Sequence, residues 1–340
     1  MGFGGGKGKG LREGLRTGDT PTRKNHAPFH PLLSSDATGG QILKGHQGPV
    51  WGLATAPAPA GLAAEAGGGG GARSPTTPPL LLLTCASDKA AKVWALPAAG
   101  VAAAAACGAP CRSAPPPAPL RTLSGHHTDW VRACDLNAST SGGAHSACCA
   151  LTGGDDGRAV LWDVEAGSAV RVVRQDGGGG GDGAAGCRPS PVRALRFLPG
   201  GASGGGWCSR PELVFAAGAL DGSLTLWDAR TSEVVAHLVP GAHGGGGVGG
   251  GVAHRGGVTA LASCSPCAAP STPRALLASV GADGAARAWD LRSRAEAGPP
   301  YIAACALNAV AFTPCGGGVA VGGEDGRVCM VGLWTAPPLH

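Results

Sequence analysis

The chain has 340 residues, a net charge of +5 and 43% hydrophobic residues, enough to bury a sizeable core. No run of 18 apolar residues exists, so no membrane-spanning helix is expected, and the lysine-bearing start Met1–Gly10 lacks the apolar segment of a secretory signal. Gly6 stands where a myristoylation signal needs Ser or Thr, so the expected compartment is cytosol or nucleus.

The first 40 residues read as a basic, mostly disordered tail. Residues 1–24 carry Lys7, Lys9, Arg12, Arg16, Arg23 and Lys24 against Glu13 and Asp19, which is nearly all the excess charge. Phe3, Leu11 and Leu15 offer too little apolar surface to offset the entropy of ordering. The body is close to neutral and has no basic stripe with interleaved aromatics, which argues against a nucleic-acid-binding face.

From residue 41 to 335 one pattern recurs: an apolar run, small residues, an Asp-Gly turn, alternating residues, then Trp-Asp. The copies are Leu80–Thr84, Asp88 and Trp94; Ala150–Thr152, Asp156-Gly157 and Trp162-Asp163; and Leu213–Phe215, Asp221-Gly222 and Trp227-Asp228. Two more follow: Leu276–Ser279, Asp283-Gly284 and Trp289-Asp290, then Val319–Val321 and Asp325-Gly326, with Val331 where Trp is expected. An apolar strand precedes each copy, at Val50–Leu53, Val131–Cys134, Val192–Leu195, Val258–Leu261 and Val310–Phe312. Three of these follow a small residue and His, at His46, at His126 or His127, and at His254. Asp-Gly between alternating apolar runs is a hairpin-turn signal, because Gly tolerates positive φ.

The recurrence resembles the WD-repeat family. That resemblance implies an all-β propeller of five recognisable blades, in which stacked sheets bury each other's faces. It also implies one hydrogen-bonded network per blade: His46, Thr84, Asp88 and Trp94; His126 (or His127), Thr152, Asp156 and Trp162; His254, Ser279, Asp283 and Trp289. Copy three keeps Asp221 and Trp227 but has Ala in the hydroxyl position and no His before it. Copy five keeps only Asp325. These two blades are expected to be the less rigid.

Successive turn aspartates lie 68, 65, 62 and 42 residues apart, and only the last matches an ordinary repeat of ~40–45. The excess is rich in Gly, Ala and Pro: 56–79, 98–119, 177–189, 200–206 and 241–251. These stretches read as flexible surface loops, too short and too poor in alternation to form blades. Gln41-Ile42-Leu43 is a candidate outer strand for the fifth blade. A ring of five is favoured, and an incomplete seven-bladed ring stays open. Residues 336–340 read as a short C-terminal tail.

The sequence carries no Walker-type phosphate loop and no G-x-S-x-G elbow between a strand and a helix. His and Asp recur in blade after blade, whereas an active site occurs once, so these residues are read as structural and no catalytic residue, cofactor or metal is expected. Cys264-x-x-Cys267 lacks the second ligand pair of a zinc site, and the 13 cysteines are expected as reduced thiols. The expected function is a non-enzymatic scaffold or adaptor binding other proteins. Trp227-Asp228-Ala229-Arg230 and Trp289-Asp290-Leu291-Arg292 also resemble the W-D-x-R box of substrate receptors for cullin-type ubiquitin ligases. That resemblance implies an adaptor contact through Arg230 and Arg292. A ribonucleoprotein or nucleic-acid-associated component recruited through the basic tail is the remaining alternative.

Overall fold

The computed structural model describes residues 43–59, 62, 80–96, 118–138, 148–175, 189–198, 214–241, 251–264, 276–314 and 316–332. The expected basic tail, the C-terminal tail and most of the Gly/Ala/Pro-rich insertions lie outside these residues.

The described residues form five antiparallel sheets, each one blade. Blade one is β1 (Val50–Pro57), β2 (Leu80–Ala86), β3 (Ala91–Leu96) and β4 (Arg121–Leu123). Blade two is β5 (Val131–Ala138), β6 (Cys148–Gly154), β7 (Arg158–Asp163) and β8 (Ser168–Arg174). Blade three is β9 (Val192–Phe197), β10 (Val214–Ala219), β11 (Leu224–Asp228) and β12 (Glu233–His237). Blade four is β13 (Val258–Cys264), β14 (Leu276–Gly281) and β15 (Ala285–Asp290), with an outer strand split into β16 (Ala295–Glu296) and β17 (Tyr301–Ile302). The split falls at Pro299 and Pro300, which have no N–H to give to a ladder. Blade five is β18 (Leu307–Phe312), β19 (Gly318–Gly323) and β20 (Val328–Gly332).

The Asp-Gly turns set the register between second and third strands. Gly157 and Gly284 sit at φ 70 and 74, and each donates its N–H to the carbonyl three residues back. Only glycine adopts that conformation without steric cost. Blade one has Lys89 there, at φ 63. The tryptophan six residues past each Asp then falls opposite the same second-strand position: Leu82↔Trp94, Ala150↔Trp162, Phe215↔Trp227 and Leu277↔Trp289. Val319↔Val331 keeps that register in blade five without the indole.

A sheet that is apolar on both faces must be covered on both. The first strands pack side by side in chain order, β1 on β5, β5 on β9, β9 on β13 and β13 on β18. The core is therefore four slabs between blades. In the first, Leu81, Leu83, Ala91 and Val93 of blade one meet Val131, Cys148, Ala150 and Trp162 of blade two. The second joins Leu151, Ala159 and Leu161 to Val192, Leu195, Phe215 and Trp227, and the third joins Val214, Leu224 and Leu226 to Leu277 and Trp289. The last sets Ala278, Val280 and Ala286 against Leu307, Val319 and Val321.

Two sequence expectations need correction. The stretch 56–79 does not begin as a free surface loop, because Ala56, Ala58 and Leu62 are buried in the slab between blades one and two. Leu62 supplies an aliphatic plug there that no strand pattern announces. Leu43, the described residue of the candidate closing strand, is not in a strand, and β20 pairs only with β19 among the described residues. The segment after Leu43 is held on blade one instead: Gly45 lies against the Trp94 ring, where an added Cβ would come within 2.9 Å, and His46 reaches into the blade.

Candidate functional site

The polar sets expected in each blade come together as chains of hydrogen bonds. In blade one, Trp94 Nε1 donates to Thr84 Oγ1 (2.9 Å), Thr84 Oγ1 and His46 Nε2 are 2.7 Å apart, and His46 Nδ1 and Asp88 Oδ2 are 2.9 Å apart. In blade four, Trp289 Nε1 donates to Ser279 Oγ (2.9 Å), which lies 2.8 Å from His254 Nε2, and His254 Nδ1 lies 3.0 Å from Asp283 Oδ1. A carboxylate can only accept, so Nδ1 carries a proton and donates it to the Asp; in the neutral ring Nε2 then accepts the hydroxyl's proton while the hydroxyl oxygen accepts from the indole N–H. The carboxylate also caps the turn: Asp283 accepts from the backbone N–H of Arg255 (2.9 Å) and Ala285 (3.1 Å).

Blade two corrects the expected histidine. His127, not His126, lies 2.8 Å from Thr152 Oγ1 and 3.2 Å from Asp156 Oδ1, and Trp162 Nε1 donates to Thr152 (2.8 Å). His126 packs edge-on against the Trp162 ring, with centroids 5.3 Å apart. The residue four before the first-strand valine holds the ring in both blades, His254 before Val258 and His127 before Val131. With two adjacent histidines, that offset is what separates them.

Burial opposes ionisation of Asp156, but the bonds from His127 and from the Thr128 and Arg158 N–H groups outweigh it, and the carboxyl is held below its ordinary value. The same balance lowers Asp88 and Asp283. Burial pushes His254 below the ordinary imidazole range despite Asp283, consistent with the neutral ring.

Blade three rebuilds the network from other residues. Ala217 stands in the hydroxyl position, and Gln175, at the end of β8 and buried, takes the place of the hydroxyl–imidazole pair. Its Oε1 accepts from Trp227 Nε1 (3.3 Å), and its Nε2 donates to Thr225 Oγ1 (2.8 Å) and Ser223 Oγ (3.1 Å). Ser223 donates in turn to Asp221 Oδ1 (2.6 Å). Copy three, which lacks the hydroxyl and the His, thus still gives Trp227 and Asp221 partners, and Gln175 lies too far up the chain for the repeat pattern to reveal it. In blade five Cys305 occupies the histidine's place. A Cβ at Gly323 would meet Cys305 Sγ at 2.7 Å and Asp325 Oδ1 at 2.8 Å, just as one at Gly281 would meet His254 Nδ1 at 2.6 Å and Asp283 Oδ1 at 2.8 Å. Val321 and Val331 replace the hydroxyl and the indole, and the polar chain ends there.

The tryptophan and hydroxyl ends of these chains are buried, and the arrangement can lock a turn to a strand. Among the described residues no group of three His, Cys, Asp or Glu has metal-holding geometry, and Cys267 lies outside them. Cys148 and Cys149 are pushed up to about 12 and about 11, in each case mainly by burial.

A second feature was not legible in the motif. Each first strand carries a β-bulge at its second residue, which leaves Trp51, Arg132, Arg193, Thr259 and Asn308 without a cross-strand partner. A bulge re-aims the side chain it carries. At blades one and two this builds a rim cluster: Trp51 stacks on Trp130 (centroids 6.3 Å, planes 20° apart), and the Arg132 guanidinium lies 4.1 Å and 4.7 Å from the two ring centres. Asp155 Oδ2 accepts from Arg132 Nε (2.9 Å), and Arg193 Nε lies 3.4 Å from Asp155 Oδ1. Trp51 and Trp130 stay 46% and 44% exposed, whereas the four blade tryptophans are buried. Arg230 and Arg292 lie in equivalent turns of neighbouring blades, each with its N–H on the preceding Asp (2.8 and 2.9 Å) and its side chain exposed.

Sheets of this topology, turn chemistry and polar network define a β-propeller built from Trp-Asp blades. The sequence model of the WD domain, G-beta repeat, matches residues 117–163, which supports a WD-repeat family. The match runs from β4 through β7, so one sequence repeat spans the outer strand of one blade and three strands of the next. No curated protein matches the chain.

Proposed function

We propose that the chain is a non-catalytic protein–protein interaction scaffold whose docking site is the bulge rim of blades one and two. The observation that carries this reading is the half-exposed Trp51–Trp130 stack, braced by Arg132 and Asp155. Exposed tryptophan is costly on a free surface and is enriched where partners bind, and a braced ring loses little entropy on docking. The test is affinity purification with the full chain against Trp51→Ala/Trp130→Ala. The variant should lose its bound proteins and keep its unfolding midpoint. Retention of all of them would refute the rim as the site.

The matched exposure of Arg230 and Arg292 favours a second reading, a substrate receptor of a cullin-type ubiquitin ligase. Two arginines presented alike on adjacent blades suit bidentate contact with carboxylates of an adaptor. With purified adaptor, Arg230→Ala/Arg292→Ala should weaken binding by about 2 kcal/mol or more. No binding by the parent chain would remove this reading.

A further inference from the structure

On the scaffold reading, on which this rests, a partner docks at the tryptophan rim. We propose that the partner presents a peptide segment with one carboxylate, which pairs with Arg193 while an apolar side chain beside it lies on the Trp51–Trp130 stack. The first strands pack side by side, so their bulge residues Trp51, Arg132, Arg193 and Thr259 follow one another along the rim. Three of the four are engaged within the chain. Trp51 stacks on Trp130, Arg132 lies over both rings with its Nε–H given to Asp155, and the Thr259 hydroxyl faces the carbonyls of Val280 and Leu307.

Arg193 differs. Its Nε lies 3.4 Å from Asp155 Oδ1 without forming a hydrogen bond, and both of these atoms are buried with no other partner. Among the described residues Arg193 makes no hydrogen bond and has no second carboxylate in ion-pair reach. Its side chain is 31% exposed, so the guanidinium is open to an incoming group. A guanidinium offers five N–H donors in a planar fork, and that fork matches a carboxylate two bonds at a time.

Charge specifies the anion. Arg132 and Arg193 set two positive charges against the one negative charge of Asp155, which leaves one uncompensated. A single carboxylate balances it. A phosphate group, at about −1.5 to −2, overshoots and is repelled by Asp155 at close range. Distance specifies that the carboxylate and the apolar group share one segment. Arg132 lies 4.1 Å from the Trp51 ring centre and 2.9 Å from Asp155, and Asp155 lies 3.4 Å from Arg193. A few extended residues at ~3.3 Å each reach from the ring to the open guanidinium. The surface is also held in place beforehand, because the Asp155 N–H donates to the Trp130 carbonyl (2.9 Å) and ties the turn between the arginines to the loop of the second ring.

The test pans random ten-residue peptides on phage against the full chain, in one library joined to the coat protein at the C-terminus and in another with free C-termini. Enrichment of Asp or Glu in the first assigns the carboxylate to a side chain, and enrichment in the second alone assigns it to a chain terminus. Synthesised, the selected peptide should bind at least tenfold more tightly than the version in which that carboxylate is an amide. Arg193→Gln should bind the two versions alike, at the weaker affinity, and keep the unfolding midpoint. Arg193→Lys, which keeps the charge and loses the fork, should fall between. Equal binding of acid and amide by the parent chain, or an acid preference that survives Arg193→Gln, would overturn the inference and leave the rim reading standing. Peptide binding that survives Trp51→Ala/Trp130→Ala would overturn the rim reading instead. Recovery of no peptide from either library, the result expected if residues of this same protein fill the rim, would overturn the inference as well.

Discussion

Thr152 offers a clean measurement of what the polar chain in a blade contributes. Its Oγ1 accepts from Trp162 Nε1 (2.8 Å) and pairs with His127 Nε2 (2.8 Å), and the residue is buried. Thr152→Val keeps the shape and removes the oxygen. Two hydrogen bonds of about 1 kcal/mol each are lost, and a buried indole N–H is left without an acceptor at about 1–3 kcal/mol, so the expected destabilisation is about 2–4 kcal/mol. Thr152→Ser keeps the oxygen and removes one methyl, at about 1 kcal/mol. Urea unfolding followed by tryptophan fluorescence and by far-UV circular dichroism measures both, and coincident transitions license the two-state treatment. If Thr152→Val costs no more than Thr152→Ser, the hydrogen-bonded chain is not what stabilises the blade.

Lys89 sits in the left-handed region at φ 63 where the other blades have Gly, so Lys89→Gly should raise unfolding stability by about 0.5–1 kcal/mol. Acid should destabilise the fold in two steps, read by unfolding free energy against pH. The lowered His254 favours the folded state above the ordinary imidazole value, and that contribution falls away as pH drops through it. The lowered Asp88, Asp156 and Asp283 contribute above the ordinary carboxylate value, and their share is lost at lower pH still. Gln175→Leu should destabilise blade three by about 1–3 kcal/mol, since Trp227 Nε1 loses its acceptor; an unchanged unfolding midpoint would show that the amide is incidental.

The blades were legible because their signals are local. An Asp-Gly turn and a Trp six residues later fix one hairpin register regardless of the rest of the chain, and three of the networks follow from that register. What stayed hidden depends on contacts between blades or on geometry without a residue signature. Gln175 reaches blade three from the end of blade two's outer strand, and Cys305 fills a histidine's place two residues nearer its strand than His254 is to Val258. The choice between His126 and His127 needed the offset to the first-strand valine. In the rim cluster Trp51 and Arg132 sit on bulges, which alternation alone does not announce. Leu62 lies inside a Gly/Ala-rich stretch whose composition reads as loop, and its burial is a tertiary fact.

Among the described residues, five Trp-Asp sheets stack through four packed joints, and the third strand of blade five is left uncovered. Hydrogen exchange on the isolated full chain, comparing β20 with its equivalent β7, tests this arrangement most directly. β7 is paired on both edges and covered by blade three, whereas β20 is paired on one edge and its Val328 and Met330 face is bare. The account predicts that the amides of 328–332 exchange at least tenfold faster than those of 158–163. Equal, strong protection of both strands in the isolated chain would contradict it.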